Sequence, residues 1–195
     1  DWGKYIFIRD RDTRQAWSLT WKPTCPRFDY YEVRHGIGYT TFMSKLHGIK
    51  ATETVFVPPD EDLEIWKVTV RNESQSFRRL SLFSYFEWCL GNADDTHREF
   101  QKTFIGTRYD AVANTLSARK KRQLVPAYIS SGSPDHPIAA FHSVNVKPAS
   151  YEGDKERFLG MYRSLANPLG VEKGHLTNRS EEHTSEIQSR QVKSY

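Results

Sequence analysis

The chain has 195 residues, with 28 Lys and Arg against 24 Asp and Glu and a formal net charge of +4. That length suits one domain with a real core. A mean hydropathy of −0.69 and the lack of any apolar run near the ~20 residues of a membrane helix exclude a helical membrane protein; even the most apolar stretch, from Leu80 to Leu90, is interrupted by Ser81, Ser84 and Glu87. The basic residues are scattered except for Arg119-Lys120-Lys121-Arg122, which has no interleaved aromatics to stack on bases and no recognition-helix pattern. It reads as a solvated strand end or turn, and no nucleic acid is expected as a partner. Two cysteines, Cys25 and Cys89, make neither a disulfide framework nor a zinc site and fit a reducing cytoplasm. The first residues lack the basic start and long apolar centre of a signal peptide. With no initiator Met, the start looks cut inside a larger protein.

The period along the chain is two rather than 3.6. Tyr5 to Ile8 reads as a short strand ending at the polar turn Arg9 to Asp12. Trp17 to Trp21 alternates Trp17, Leu19 and Trp21 against Ser18 and Thr20, a half-buried strand that Pro23 ends. Tyr30 to His35 is a strand, Gly36 to Gly38 a bend or bulge, and Tyr39 to Leu46 continues as a strand to a tight turn at His47-Gly48. Ile49 to Val57 follows, alternating at Ala51, Glu53, Val55 and Val57, and Pro58-Pro59-Asp60 closes the unit. Leu63 to Arg71 sets Trp66, Val68 and Val70 on one face, and Asn72 to Ser76 turns into the next strand. That strand begins the stretch Arg79 to Lys102, around which the chain is organised. Leu80, Leu82, Phe86 and Trp88 share one face, Phe83 and Tyr85 the other, so the strand is expected to be covered on both sides, with Cys89 as a small core residue. A polar loop from Gly91 holds Asp94, Asp95, Thr96, His97 and Arg98. Further strands are expected over Phe100 to Thr107, Thr115 to Ala118 and Ala139 to Val146, with a Ser, Gly and Pro loop from Ser130 to Pro137. Glu152 to Glu156 opens a short helical turn or lies in a loop. No long amphipathic helix is present. The sum is all-β: an antiparallel β-sandwich.

From Arg179 the composition changes. The run Arg179 to Ser189 resembles the translated reading of a sequencing adapter, with Ile187 where that reading has Leu. Residues 179–195 are therefore read as an artefactual, disordered tail, and 1–178 as the β-sandwich, which the resemblance below implies is a partial N-terminal domain.

Few residues call for chemistry by spacing. Asp94 and Asp95 are adjacent, and adjacent carboxylates rarely face each other across a sugar as glycoside hydrolysis requires; a turn carboxylate more often caps backbone amides. Arg34 to Thr40 has two glycines but no following Gly-Lys-Ser/Thr, so it is no phosphate loop. His35 there has a tunable charge, with structural hydrogen bonding as its ordinary role. The seven histidines show no metal-ligand spacing, and no Gly-x-Ser-x-Gly elbow exists. Gln101 and Lys102 point to opposite faces of their strand, and either is a candidate for a hydroxyl-rich ligand or simply surface. Trp17, Trp21, Trp66 and Trp88 are able to stack on sugars, but strand spacing fits them to a core.

Six segments in order carry a resemblance: 5–10 (Tyr-Ile-Phe-Ile-Arg-Asp), 17–21 (Trp-Ser-Leu-Thr-Trp), 34–40 (Arg-His-Gly-Ile-Gly-Tyr-Thr), 54–58 (Thr-Val-Phe-Val-Pro), 83–90 (Phe-Ser-Tyr-Phe-Glu-Trp-Cys-Leu) and 162–168 (Tyr-Arg-Ser-Leu-Ala-Asn-Pro). From Asp1 to Asn178 the chain resembles the first domain of the cellobiose and chitobiose phosphorylases, glycoside hydrolase family ninety-four. The resemblance implies an antiparallel β-supersandwich of the galactose-mutarotase type, incomplete at both ends. It also implies a helical linker, an (α/α)6 barrel and a small C-terminal β-domain in the parent, none of them present here.

The family's reaction is reversible, inverting phosphorolysis. Inorganic phosphate attacks the anomeric carbon while one Asp protonates the leaving oxygen, so no second carboxylate is needed to activate water. Those groups lie in the barrel, so the resemblance implies that no residue here is catalytic, that no metal or cofactor is held, and that phosphate is a co-substrate of the parent. It implies a homodimer in which this domain helps wall the site. A Gln-Arg pair that contacts the acceptor sugar in cellobiose-type members matches Gln101-Lys102, where Lys keeps the charge but loses the planar fork. The rival readings are a free-standing carbohydrate-binding module, a purely structural interface domain, and the related domain of a cyclic β-glucan synthase.

Overall fold

The computed structural model describes residues 3–88, 90, 105–120 and 139–180. Its contacts divide the chain into two compact units, Asp1–Phe86 with Leu159–Gly174 and Glu87–Phe158 with His175–Tyr195.

The first unit is a sandwich of two antiparallel sheets. One has the order β2-β1-β7, with β1 Lys4–Asp10, β2 Ala16–Ser18 and β7 Leu80–Phe86. The other is a meander, β3 Tyr30–Gly36, β4 Tyr39–Leu46, β5 Ile49–Phe56 and β6 Ile65–Asn72. Alternation puts Ile6, Ile8, Trp17 and Leu19 of the first sheet against Leu46, Ile49 and Ala51 of the second, with Phe42, Trp66, Val68 and Val70 packed around them.

Turn chemistry sets the register. His47 and Gly48 both have positive φ, 51° and 75°, the conformation of a type I′ hairpin turn, and Leu46 therefore pairs with Ile49. The Gly36–Gly38 segment departs from expectation. Gly36 pairs with Tyr39, so Ile37-Gly38 is a second hairpin turn, with Gly38 at φ 80°. The chain reverses there rather than bulging and running on. β2 also stops short: Trp17 and Leu19 are buried, but Trp21 is 51% exposed. Thr24 explains the break, because its Oγ1 accepts the Ser18 N–H at 2.9 Å and lies 2.8 Å from Ser18 Oγ, folding the Pro23 loop back onto the strand.

The strand covered on both faces is β1, not β7. Ile6 and Ile8 face the sandwich core, while Phe7, 0% exposed, points the other way and pairs across to Phe83. Tyr5 stacks on Tyr85 at 6.3 Å beside it. That outer layer is closed by α2 (Leu169–Lys173), which lies against β1; Arg9 Nε donates to the Glu172 carbonyl at 3.2 Å. On β7, Phe83 and Tyr85 are buried and Leu80 packs on the core, but Leu82 is 51% exposed. Its only strand neighbour among the described residues is β1.

The second unit holds the sheet β10-β9-β8, from β8 Ile105–Asp110, β9 Thr115–Lys120 and β10 Ala139–Ser143. Leu90, Ile105 and Ala118 form its core, with Trp88 and Ala140 against them. Glu152 to Glu156 resolves into a helical turn, α1 (Lys155–Leu159), whose first amides at Glu156 and Arg157 bond Asp154 Oδ1. The Arg179 carbonyl accepts the Gly153 N–H at 2.8 Å. Cys89, the Asp94–Arg98 loop, the Ser130–Pro137 loop and residues 181–195 lie outside the described residues.

Candidate functional site

The inner face of the four-stranded sheet is a grid of cross-strand rows. In one row His35, Thr40, Val55 and Trp66 stand side by side. In the next, Glu53 stands between Phe42 and Val68. These rows line a cavity of about 290 Å³ at the end of the sandwich where β1 begins, completed by Lys4, Thr20 and Glu64. Period-two alternation is what carries Glu53 inward: it follows Ile49 and Ala51 on the buried face of β5.

Glu53 is 5% exposed, and no described residue donates a hydrogen bond to its carboxyl. Burial, aided by the nearby negative charge of Glu64, pushes its pKa up to about 7. Glu64 goes the other way. Burial alone would raise it, but Lys4 Nζ at 2.8 and 2.9 Å from its two oxygens and the indole N–H of Trp66 outweigh that and hold it below the usual carboxylate range. The two carboxyls thus differ in kind. Glu64 is a fixed, paired anion; Glu53 gains or loses a proton near neutrality. His35 Nδ1 sits 3.0 Å from Thr40 Oγ1 at the rim, the structural hydrogen bonding expected of it. Among the described residues no group of His, Cys, Asp and Glu is arranged to hold a metal ion.

The opposite end of the sandwich carries an open depression of about 590 Å³, built on an ion pair. Asp10, 0% exposed, takes Arg78 on Oδ2, with Arg78 Nε at 2.7 Å, and the Asp12 and Thr13 amides on Oδ1 at 2.8 and 3.0 Å. Arg78 Nη1 also donates to the His47 carbonyl at 2.9 Å. Burial raises the Asp10 pKa, but the Thr13 amide, Arg78 and the Asp12 amide together bring it below its ordinary value. This cluster pins three turns together and has its hydrogen bonds filled, which marks it as structural.

Gln101 and Lys102, with Asp94 and Asp95, lie outside the described residues. Of the aromatics considered for stacking, Trp17 is core, Trp66 lines the cavity, Trp21 is exposed and Trp88 packs on the second unit's core. Glu53 was missed as a site residue. Its signal was there: an acidic residue in the inward set of an otherwise apolar alternation.

Residues 1–193 match the family model described as glycosyl hydrolase 94, supersandwich domain. The chain is 33% identical over 183 residues to an N,N'-diacetylchitobiose phosphorylase of Vibrio proteolyticus, a match covering 92% of this chain and 22% of that protein. It is 32% identical over 177 residues to a solabiose phosphorylase of Paenibacillus borealis, covering 90% and 22%. A cyclic beta-(1,2)-glucan synthase of Rhizobium meliloti is 26% identical over 173 residues, covering 88% of this chain and 6% of the synthase. The chain thus spans about a fifth of the length of the phosphorylases it matches.

Proposed function

The chain belongs to the glycosyl hydrolase 94 supersandwich family, and from that premise we propose that it is the N-terminal, non-catalytic sandwich of an inverting β-glycoside phosphorylase. The observation that carries this reading is the pairing of 92% coverage of this chain with 22% coverage of the relative. What the two share is β-sandwich framework, and most of the phosphorylase lies elsewhere. Phosphate is already a nucleophile, so the reaction needs one acid and an anion-binding site rather than a pair of carboxylates. Both belong to the barrel of the parent, and no residue here takes a catalytic role. The domain's own part is to wall the acceptor site at a homodimer interface through Gln101 and Lys102. It works without a metal or cofactor, in the cytoplasm.

The test uses the full-length parent. Gln101→Ala is expected to raise KM for the acceptor sugar in the synthetic direction by about tenfold, the size of one lost hydrogen bond to a ligand, and to leave KM for phosphate within about twofold in phosphorolysis. Equal loss in both would refute the assignment. The similarity to the cyclic glucan synthase supports a second reading, the corresponding domain of a β-glucan synthase. Release of sugar 1-phosphate from a disaccharide by the parent separates the two.

A further inference from the structure

We propose that the cavity at the β1 end of the sandwich is a binding site for a neutral, hydroxyl-rich ring of monosaccharide size, held by Glu53 against the Trp66 and Phe42 side chains.

Three observations carry it. The first is volume: about 290 Å³ lies at the small end of ligand cavities, room for one ring rather than a chain. The second is an unanswered polar group. Glu53 is 5% exposed with no protein donor among the described residues, yet no described side-chain oxygen that is fully enclosed lacks a partner. Its carboxyl oxygens must therefore open onto the cavity, where no described residue fills their hydrogen-bonding capacity. The third is the wall. Trp66, Phe42 and Val55 present apolar surface, and Thr40 presents a hydroxyl at the rim. An apolar lining with a few convergent polar groups suits a ring that has a hydrocarbon face and an edge of hydroxyls.

The charges choose among ligands. The two carboxyls, Glu53 and Glu64, disfavour an anion. Lys4 bridges both Glu64 oxygens, so that pair offers a cation no free carboxylate. A hydroxyl suits either protonation state of Glu53: it donates to the carboxylate and accepts from the acid.

The experiment follows the methyl NMR signals of Val55 and Thr40 in the full chain, titrated with D-glucose and separately with D-glucosamine as its protonated ammonium form. Saturable shifts of both methyls with D-glucose are expected, with a dissociation constant in the millimolar range. Glu53→Met, which keeps the length and removes the acceptor, is expected to weaken binding at least about tenfold. Val55→Phe narrows the cavity without touching a charge and is expected to weaken it by as much. The proposal is overturned if D-glucose leaves both methyls unmoved. It is overturned too if whichever of the two variants folds binds as tightly as the parent chain, or if D-glucosamine binds more tightly than D-glucose, which would make this a cation site.

Discussion

Replacing Glu53 with Gln keeps the shape of the side chain and removes its ability to ionise. In the folded chain Glu53 titrates at about 7 against an ordinary 4.5. Between those values the folded state keeps a proton that the unfolded chain has released, so stability falls as pH rises through this window and levels off above it. The full interval corresponds to about 3 kcal/mol. The cavity leaves the carboxyl open to solvent screening, so a loss of about 1–3 kcal/mol from pH 5 to pH 8 is expected. Glu53→Gln has no such loss. Urea unfolding followed by tryptophan fluorescence at pH 5 and pH 8 reads the difference: the two proteins should be close at pH 5, and the variant more stable by about 1–3 kcal/mol at pH 8. His142, whose pKa burial lowers, titrates alike in both proteins and cancels in the comparison. Asp10 titrates below the window. A stability difference that is the same at both pH values would refute the argument that Glu53 is buried without a partner.

Two further outcomes test the framework. Asp10→Ala leaves Arg78 beside an empty socket and frees the Asp12 and Thr13 amides; a loss of about 3 kcal/mol in urea unfolding at pH 7 is expected, and a loss under about 1 kcal/mol would show that the ion pair does not organise this end. The intact chain should also lose this contribution in acid, as pH falls below 3.8 and through the depressed Asp10 pKa. Gly174 ends α2 at φ 80°, and a Cβ there would lie 2.8 Å from Arg9 Nη1. Gly174→Ala should lower the thermal midpoint, with a loss of about 1–2 kcal/mol; an unchanged midpoint would show that α2 is not anchored on Arg9.

Alternation was enough to read the meander. Trp66, Val68 and Val70 on one face of β6, and Ala51, Glu53 and Val55 on one face of β5, follow from period two alone, because one face of each strand meets a core. His47-Gly48 announced its hairpin, since positive φ at both positions suits few other pairs. Gly36-Ile37-Gly38 did not. A bulge and a two-residue turn use the same residues, and only the pairing partner across the strand distinguishes them.

What the amino acids settled alone was the kind of object: strands of fixed face, a sandwich, and, through six ordered segments, a family. What waited for the tertiary structure was which strand lies at the centre and which side chain is left unanswered. β7 is the more apolar in sequence, yet β1 is the one enclosed on both faces, because α2, some 160 residues later in the chain, closes over it. Glu53 looked like one charge in an alternating strand. Among the described residues it has no partner, and Lys4 goes to Glu64 instead, a choice made between side chains on β1 and the β5–β6 connection. Local pattern fixes a direction for each side chain, but not what stands opposite it.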